Sequence, residues 1–212
     1  GRIENVLDAA KAKGHRTGEN PARWRGHIKT LLPARPKVER GHHAALDYAR
    51  MPEFMLSLRQ REGIGARLLE FIILAAARSG EARGARWDEF DLDRAEWSIP
   101  GLRMKAGRAH RVPLSPRALA IVREMAAAKV GPLVFPARDK GMLSHMASAN
   151  LLKRMGFGDV TTHGFRSAFR DWAAEVSTFP HEVCEMALAH TIGNKAEAAY
   201  RRGDLFEKRR AL

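Results

Sequence analysis

Cysteine is almost missing from this chain of 212 residues. Cys184 stands alone, so there is no internal disulfide and no Cys-x-x-Cys pair to hold zinc. Such usage suits a reducing cytoplasm. Aromatic side chains make up only 7%, with two tyrosines among them. The 18 glycines and 10 prolines follow no period, which excludes a collagen-like or low-complexity chain. Long apolar runs are missing too. The longest, from Leu68 to Ala77, is interrupted by Glu70 and is too short to span a bilayer. Gly1-Arg2-Ile3-Glu4 has none of the apolar character of a secretion signal. With no starting methionine, the chain reads as a fragment of a longer protein. Nine histidines raise the question of a metal, but His42-His43 and the His181/Cys184 pair lack a second pair at ligand spacing, and no metal site is expected. The glycine-rich stretches match neither a P-loop nor a dinucleotide fingerprint.

Positive charge is what the chain has in excess. It carries 37 Lys and Arg against 24 Asp and Glu, a net charge of +13, and its isoelectric point is near 10.7. With a hydrophobic fraction of 45%, this is a globular protein with a nucleic-acid binder's electrostatic footprint. Residues 1–43 hold ten basic and four acidic residues, a net +6. Nearly half the excess charge therefore sits in a fifth of the chain.

The pattern of apolar residues divides the chain near residue 43. Ile3, Val6, Leu7 and Ala10 are spaced as on a short helix that stops at Gly14. Asn20-Pro21 reads as the cap of a second helix. Pro33, Pro36 and Gly41 then mark a basic linker. Beyond it, a helix opening at Pro52 and ending at Gly63 is expected. A helix apolar on every side follows from Ile64 to Ala77, the mark of a buried central element. Strands are expected at Phe90–Asp93, Glu96–Ile99 and Arg111–Leu114, with a basic glycine-bounded hairpin between the last two. Helices then fall at Pro116–Lys129, Ser144–Met155, His163–Glu175, Pro180–Ala189 and Lys195–Arg201, with a last turn from Asp204. The fold class is mostly α with a small antiparallel β-sheet.

Five features along this framework carry chemistry. Arg78 emerges from the buried helix and needs a partner. Glu81, three residues on, supplies one, either as a plain helix-end ion pair or as the support of a phosphate-clamping guanidinium. Lys105 sits in the hairpin with Arg103 and Arg108, either a solvated basic turn or a mobile lysine able to reach bound DNA. His163 and Arg166, three apart, share a helix face, and Arg170 extends it. His190 stands at a helix C-terminus, where the dipole favours an imidazolium. Tyr200 follows small residues and precedes Arg201-Arg202. It is either a core tyrosine or a nucleophile beside cations.

In this order the residues resemble the tyrosine recombinases, and among them the bacteriophage and genomic-island integrases. The resemblance covers residues 44–212. It rests on Ala77-Arg78-Ser79-Gly80-Glu81, Trp87, Phe90-Asp91-Leu92-Asp93, Met104-Lys105, His110-Arg111-Val112-Pro113-Leu114-Ser115, His163-Gly164-Phe165-Arg166, Leu188-Ala189-His190 and Ala199-Tyr200. It implies a catalytic domain at 44–212. Residues 1–43 look like a remnant of the family's helical core-binding domain plus linker. The resemblance implies that Tyr200 attacks a DNA phosphodiester to leave a 3′-phosphotyrosine, and that Arg78, Arg166 and His190 hold the phosphate. Lys105 would protonate the leaving 5′-oxygen, His163 would assist proton transfer from the tyrosine, and Glu81 would hold Arg78. Arg103, Arg108, Arg170 and Arg201 are the expected contacts to the DNA backbone. No metal, ATP or other cofactor is implied. The implied partners are double-stranded DNA attachment sites, further protomers forming a tetramer in the synapse, and accessory DNA-bending proteins, with no membrane. The implied location is the bacterial cytoplasm, at the nucleoid when DNA-bound. Two other functions use the same residue types: a type IB topoisomerase-like nicking and sealing enzyme, and a catalytically silent DNA-binding domain.

Overall fold

The computed structural model describes residues 1–32, 44–190 and 203–212. The chain divides into two compact units, Gly1–Gly41 and His42–Leu212, each described by itself. In the first unit, α1 (Arg2–Ala12) forms as its apolar spacing predicts, but none of its residues is buried. The second helix expected there is absent as such. Residues 24–28 are broken by the extended Arg25 and by Gly26 at φ +76°. Only one regular turn follows, at Lys29–Leu31. Asn20 does not cap a helix. Its Oδ1 accepts from Ala22 N at 2.9 Å in a tight turn, and its Nδ2 donates to the Glu4 carbonyl and to Asp8.

The second unit is built around α3 (Ile64–Leu74), which follows α2 (Met51–Arg59). Leu68, Leu69, Glu70, Phe71 and Ile72 are all fully buried, so α3 is the all-round apolar element read from the sequence. One side of it, with Phe71 and Ile72, packs into a core with Trp97, Ile99, Val112, Ile121 and Phe135. The other, with Ala66 and Leu69, meets Phe54, Leu58, Leu152 and Phe165. Glu70 is tolerated at this depth because the guanidinium groups of Arg59 and Arg117 bond it at 2.8 Å and Arg67 at 3.2 Å. A buried carboxylate left unpaired would be strongly destabilising. Desolvation opposes its ionisation, but Arg117 and Arg59 outweigh that and hold its pKa below the ordinary range.

Three strands form one antiparallel sheet in the order β1 (Phe90–Asp91), β2 (Glu96–Ile99), β3 (His110–Pro113). Trp97 pairs with Phe90 and Val112, and Ile99 with His110. The first strand is two residues shorter than the sequence suggests, because Asp91 Oδ1 turns back to accept from the N–H groups of Asp93 and Arg94. The remaining helices are α4 (Ser79–Arg83), α5 (Pro116–Ala127), α6 (Ala147–Arg154), α7 (Gly164–Glu175), α8 (His181–Ala187) and α9 (Phe206–Ala211). Ser115 caps α5 with Pro116 in its first turn, as its sequence predicts. Among the described residues no helix is long and apolar enough to cross a membrane.

The helix expected to run through Ala77 stops at Leu74. Ala76 adopts φ +46°. The N–H of Ala77 bonds Ile72 O at 3.1 Å and that of Ala76 bonds Ile73 O at 3.2 Å. This is a Schellman turn, normally closed by glycine, and here it is made by alanine. Arg78 therefore stands in extended conformation, φ −74° and ψ 142°, just ahead of α4.

Gly164 explains the glycine in His163-Gly164-Phe165-Arg166. A Cβ there would overlap the Ala44 carbonyl oxygen, far inside van der Waals contact, and stand 2.9 Å from Ala45 Cα. Both are backbone atoms and cannot rotate away. Gly164→Ala should therefore destabilise the unit by about 1–3 kcal/mol, the range for overpacking, although alanine is the better helix former. Urea unfolding measures this. A neutral or stabilised variant would mean that the segment at 44–45 yields.

Candidate active site

Three chain reversals meet at one place: the end of α3, the start of α7 and the end of α8. Arg166, in the first turns of α7, is buried. Its Nη1 donates to the Ala76 carbonyl, and its Nη2 donates to the Leu188 carbonyl at 2.6 Å and lies 3.2 Å from His190 Nε2. Those carbonyls belong to the C-terminal turns of α3 and α8, where helix dipoles favour a cation. Arg78 arrives from the other side. Its Nη1 donates to Glu81 Oε1 at 2.9 Å and its Nη2 to the Ala189 carbonyl at 3.3 Å. Glu81 Oε2 also accepts from the Arg78 backbone N–H at 3.1 Å, so one carboxylate fixes both ends of the residue.

A guanidinium has five N–H donors. Among the described residues, these bonds leave Arg166 one Nη1 hydrogen and a buried, unpartnered Nε, and leave Arg78 its Nε and one hydrogen on each Nη. Both arginines thus keep donors for an oxyanion. Burial, and after it the neighbouring charge of Arg78, push the Arg166 pKa down to about 10, which leaves it a cation at neutral pH.

The end of α8 repeats the device seen at the end of α3. Ala189 has φ +48°. The N–H of His190 bonds Glu185 O at 3.0 Å, and that of Ala189 bonds Met186 O at 3.0 Å. This second alanine-closed Schellman turn returns His190 onto Glu185, whose Oε2 lies 2.8 Å from His190 Nδ1. With Nδ1–H donating there, Nε2 is aimed at Arg166, a tautomer assigned from its partners. Desolvation opposes ionisation of Glu185, but the hydrogen bond to His190 and the charge of Arg170 prevail and hold its pKa low.

The remaining sequence candidates fall as follows. His163 is exposed at the N-cap of α7, one turn before Arg166. Lys105 and Arg108 are exposed in the β2–β3 loop. That loop is anchored rather than free-swinging, since Met104 beside Lys105 is buried in the core. Arg170 is exposed, but its Nε is engaged by Glu185 at 3.0 Å, so it supports His190 through Glu185. Arg103, expected to face DNA, is turned inward. Its guanidinium bonds Glu89 and the Glu81 carbonyl, which removes it from the backbone contacts. Tyr200 and Arg201 lie outside the described residues. Glu185 and Glu89 were not foreseen. Glycine at position 189 would have flagged the turn that joins Glu185 to His190, but the residue there is alanine.

A sequence model of the phage integrase family matches residues 49–204. Prophage integrase IntA of Escherichia coli K12 is 43% identical over 145 residues, covering 66% of this chain and 35% of that protein. The integrase of enterobacteria phage P4 is 31% identical over 179 residues, covering 75% of this chain and 41% of its own. The chain thus spans well under half the length of these relatives. Among solved structures, a lambda integrase dimer bound to a COC′ core site superposes with a TM-score of 0.59 at 16% identity, covering 95% of this chain and 70% of that one. The integrase of mycobacterium phage Brujita superposes with a TM-score of 0.61 at 18% identity, covering 99% and 67%.

His110 is a further neighbour of this centre that sequence reading placed in a motif without a role. It lines a small cavity with Ala76, Glu81, Arg166 and Ala189. Desolvation lowers its pKa to about 4, with the charges of Arg209, Arg78 and Arg166 adding to it and Asp204 opposing. The folded-state pKa lies below the unfolded value of 6.5. The unfolded chain therefore takes up this proton first, and the stability present above that pH is lost as pH falls from there toward 4. The unfolding free energy from urea titrations should fall between about pH 6.5 and 5, and His110→Gln should flatten the fall. An unchanged slope in the variant would assign the titration to another group.

Proposed function

The chain belongs to the phage integrase family, and from that premise we propose that it is the catalytic part of a site-specific recombinase that cuts and rejoins DNA through a 3′-phosphotyrosine. The observation that carries this reading is the pairing of Arg78 and Arg166. Both are cations, both are fixed by helix-end carbonyls, and both retain donors for one anionic group. Phosphoryl transfer needs chiefly positioning and charge neutralisation, and two fixed guanidinium forks meet the non-bridging oxygens of a phosphodiester.

The residues then take these parts. The Tyr200 phenol oxygen attacks phosphorus, and the bond from phosphorus to the 5′-oxygen breaks. The 3′-phosphate remains on the tyrosine. Lys105 delivers a proton to the departing 5′-oxygen, and His163 takes up the phenolic proton. His190, held by Glu185, adds a further contact to the same phosphate. Attack by the partner strand's 5′-hydroxyl reverses these steps and reseals the DNA. Bond energy is retained throughout, so no ATP enters the scheme.

Tyr200 is taken as the nucleophile from its place in the ordered set of residues that resembles the family. The partners we assign are double-stranded attachment sites, other protomers in a four-fold synapse, and accessory DNA-bending proteins. A structure in the family shows lambda integrase as a tetramer on a Holliday junction. The setting we assign is the bacterial cytoplasm.

A nicked suicide duplex that traps the covalent intermediate tests this reading. The parent protein should form an adduct, and Tyr200→Phe should form none while binding the duplex with affinity within a few-fold. An adduct persisting in that variant would place the nucleophile elsewhere. Affinity should also fall by about tenfold or more between roughly 50 and 200 mM salt, because each neutralised phosphate releases counterions. A flat response in a mobility-shift titration would argue against a phosphate-gripping surface.

A further inference from the structure

The inward turn of Arg103 joins two halves of the site that the sequence keeps apart. Its Nη1 donates to both carboxylate oxygens of Glu89, and its Nη2 donates to the Glu81 carbonyl. Glu89 is buried, and its Oε2 also accepts from Trp97 Nε1 at 3.0 Å and from the Arg86 N–H at 3.2 Å. Trp97 is wholly buried in the larger core. The carboxylate is therefore a rigid anchor, and a cation clamped to it is held far more firmly than a surface pair would be.

The space beside the guanidinium is kept open by Gly84, where a Cβ would stand 3.1 Å from Arg103 Nη2. On one side Arg103 thus reaches the backbone of Glu81, whose carboxylate holds Arg78. On the other side it stands two residues before Lys105. Between them Met104 is buried. The loop closes through Arg103 N–H on Pro100 O at 2.9 Å, Met104 N–H on Gly101 O at 3.0 Å and Gly107 N–H on Met104 O at 3.0 Å. Gly101 makes that neck possible, since a Cβ on it would lie 2.7 Å from the Gly107 carbonyl oxygen. Leu102 and the residues from Lys105 to Ala109 are exposed. The hydrogen-bonded tie of this loop to α4, among the described residues, is the Arg103 guanidinium on the Glu81 carbonyl.

We propose that Arg103 is a positioning residue for strand cleavage. It fixes the Lys105 loop to α4, so that the lysine ammonium meets the leaving 5′-oxygen of the same phosphate that Arg78 holds. This rests on the recombinase reading above. Arg103 itself touches no substrate, so its loss should appear as misplaced acid catalysis rather than as lost binding.

The test is single-turnover cleavage of two suicide duplexes. One has an ordinary scissile phosphodiester. The other has sulfur in place of the bridging 5′-oxygen, a leaving group that departs as thiolate without a proton. Arg103→Met should cleave the oxygen substrate about tenfold to a hundredfold more slowly, as a displaced catalytic group does. On the sulfur substrate it should return to within about threefold of the parent, the pattern also expected of Lys105→Ala if its only defect is a missing acid. Gly84→Ala, which crowds Nη2 without removing any charge, should give the same pattern in milder form. It carries the test if Arg103→Met does not fold. Equal losses on both substrates, or a loss confined to duplex affinity, would overturn the proposal. A parent protein that forms no adduct on either duplex would remove the recombinase reading, and this one with it.

Discussion

A single guanidinium, that of Arg166, sits where two helices end, and the arrangement around it follows from that burial. A buried cation needs hydrogen-bond acceptors on several sides. The protein supplies them from the unsatisfied carbonyls of helix C-termini, which also carry the favourable end of the dipole. To aim those carbonyls, α3 and α8 both stop in left-handed turns at Ala76 and Ala189. Left-handed alanine is strained by about 1 kcal/mol or more, and it persists because each turn is fixed by paired backbone bonds and by an arginine on its carbonyl. The same turns launch Arg78 on one side and His190 on the other, so strain, charge and geometry come from one device used twice.

The rest of the unit keeps that device still. Helix α3 is gripped between two cores, so its end cannot shift without disturbing both. Gly164 lets α7 press on the backbone at Ala44 and Ala45, which fixes the helix that carries Arg166. Glu185 sits between His190 and Arg170, and Glu89 between Trp97 and Arg103. Arg78, Arg103 and His190 are each backed by a carboxylate, and Arg166 by the carbonyls at two helix ends.

Much of this was legible in the residues themselves. The all-round apolar α3, the three short strands, the Ser115-Pro116 cap and the three-residue step from Arg78 to Glu81 depend on local spacing, which sequence displays directly. What escaped depends on contacts distant in sequence or on exceptions to residue preference. Arg103 resembles any loop arginine until Glu89, fourteen positions away, is brought beneath it by the sheet. The two Schellman turns are hidden because alanine stands where glycine is expected, so apolar spacing alone runs α3 and α8 two to three residues past their ends. His110 alternates along β3 like any strand residue, and its pKa is depressed by burial first and by the charges of Arg209, Arg78 and Arg166 after it, none of which local spacing displays. Asn20-Pro21 carries the letters of a helix cap, but Asn20 spends its side chain on α1 instead. Tyr200 is singled out only by its place in an ordered set of residues, and it lies outside the described ones.

The proposal that Arg78 and Arg166 neutralise charge on a phosphate is open to direct measurement. Cleavage by Arg166→Ala should be compared on a scissile phosphodiester and on a methylphosphonate, in which a neutral methyl group replaces one charged oxygen. If Arg166 neutralises that oxygen, the variant should lose about a hundredfold or more on the phosphodiester, as removal of an oxyanion donor does. It should lose far less on the methylphosphonate. The same loss on both substrates would show that the buried guanidinium holds the fold and not the reacting charge.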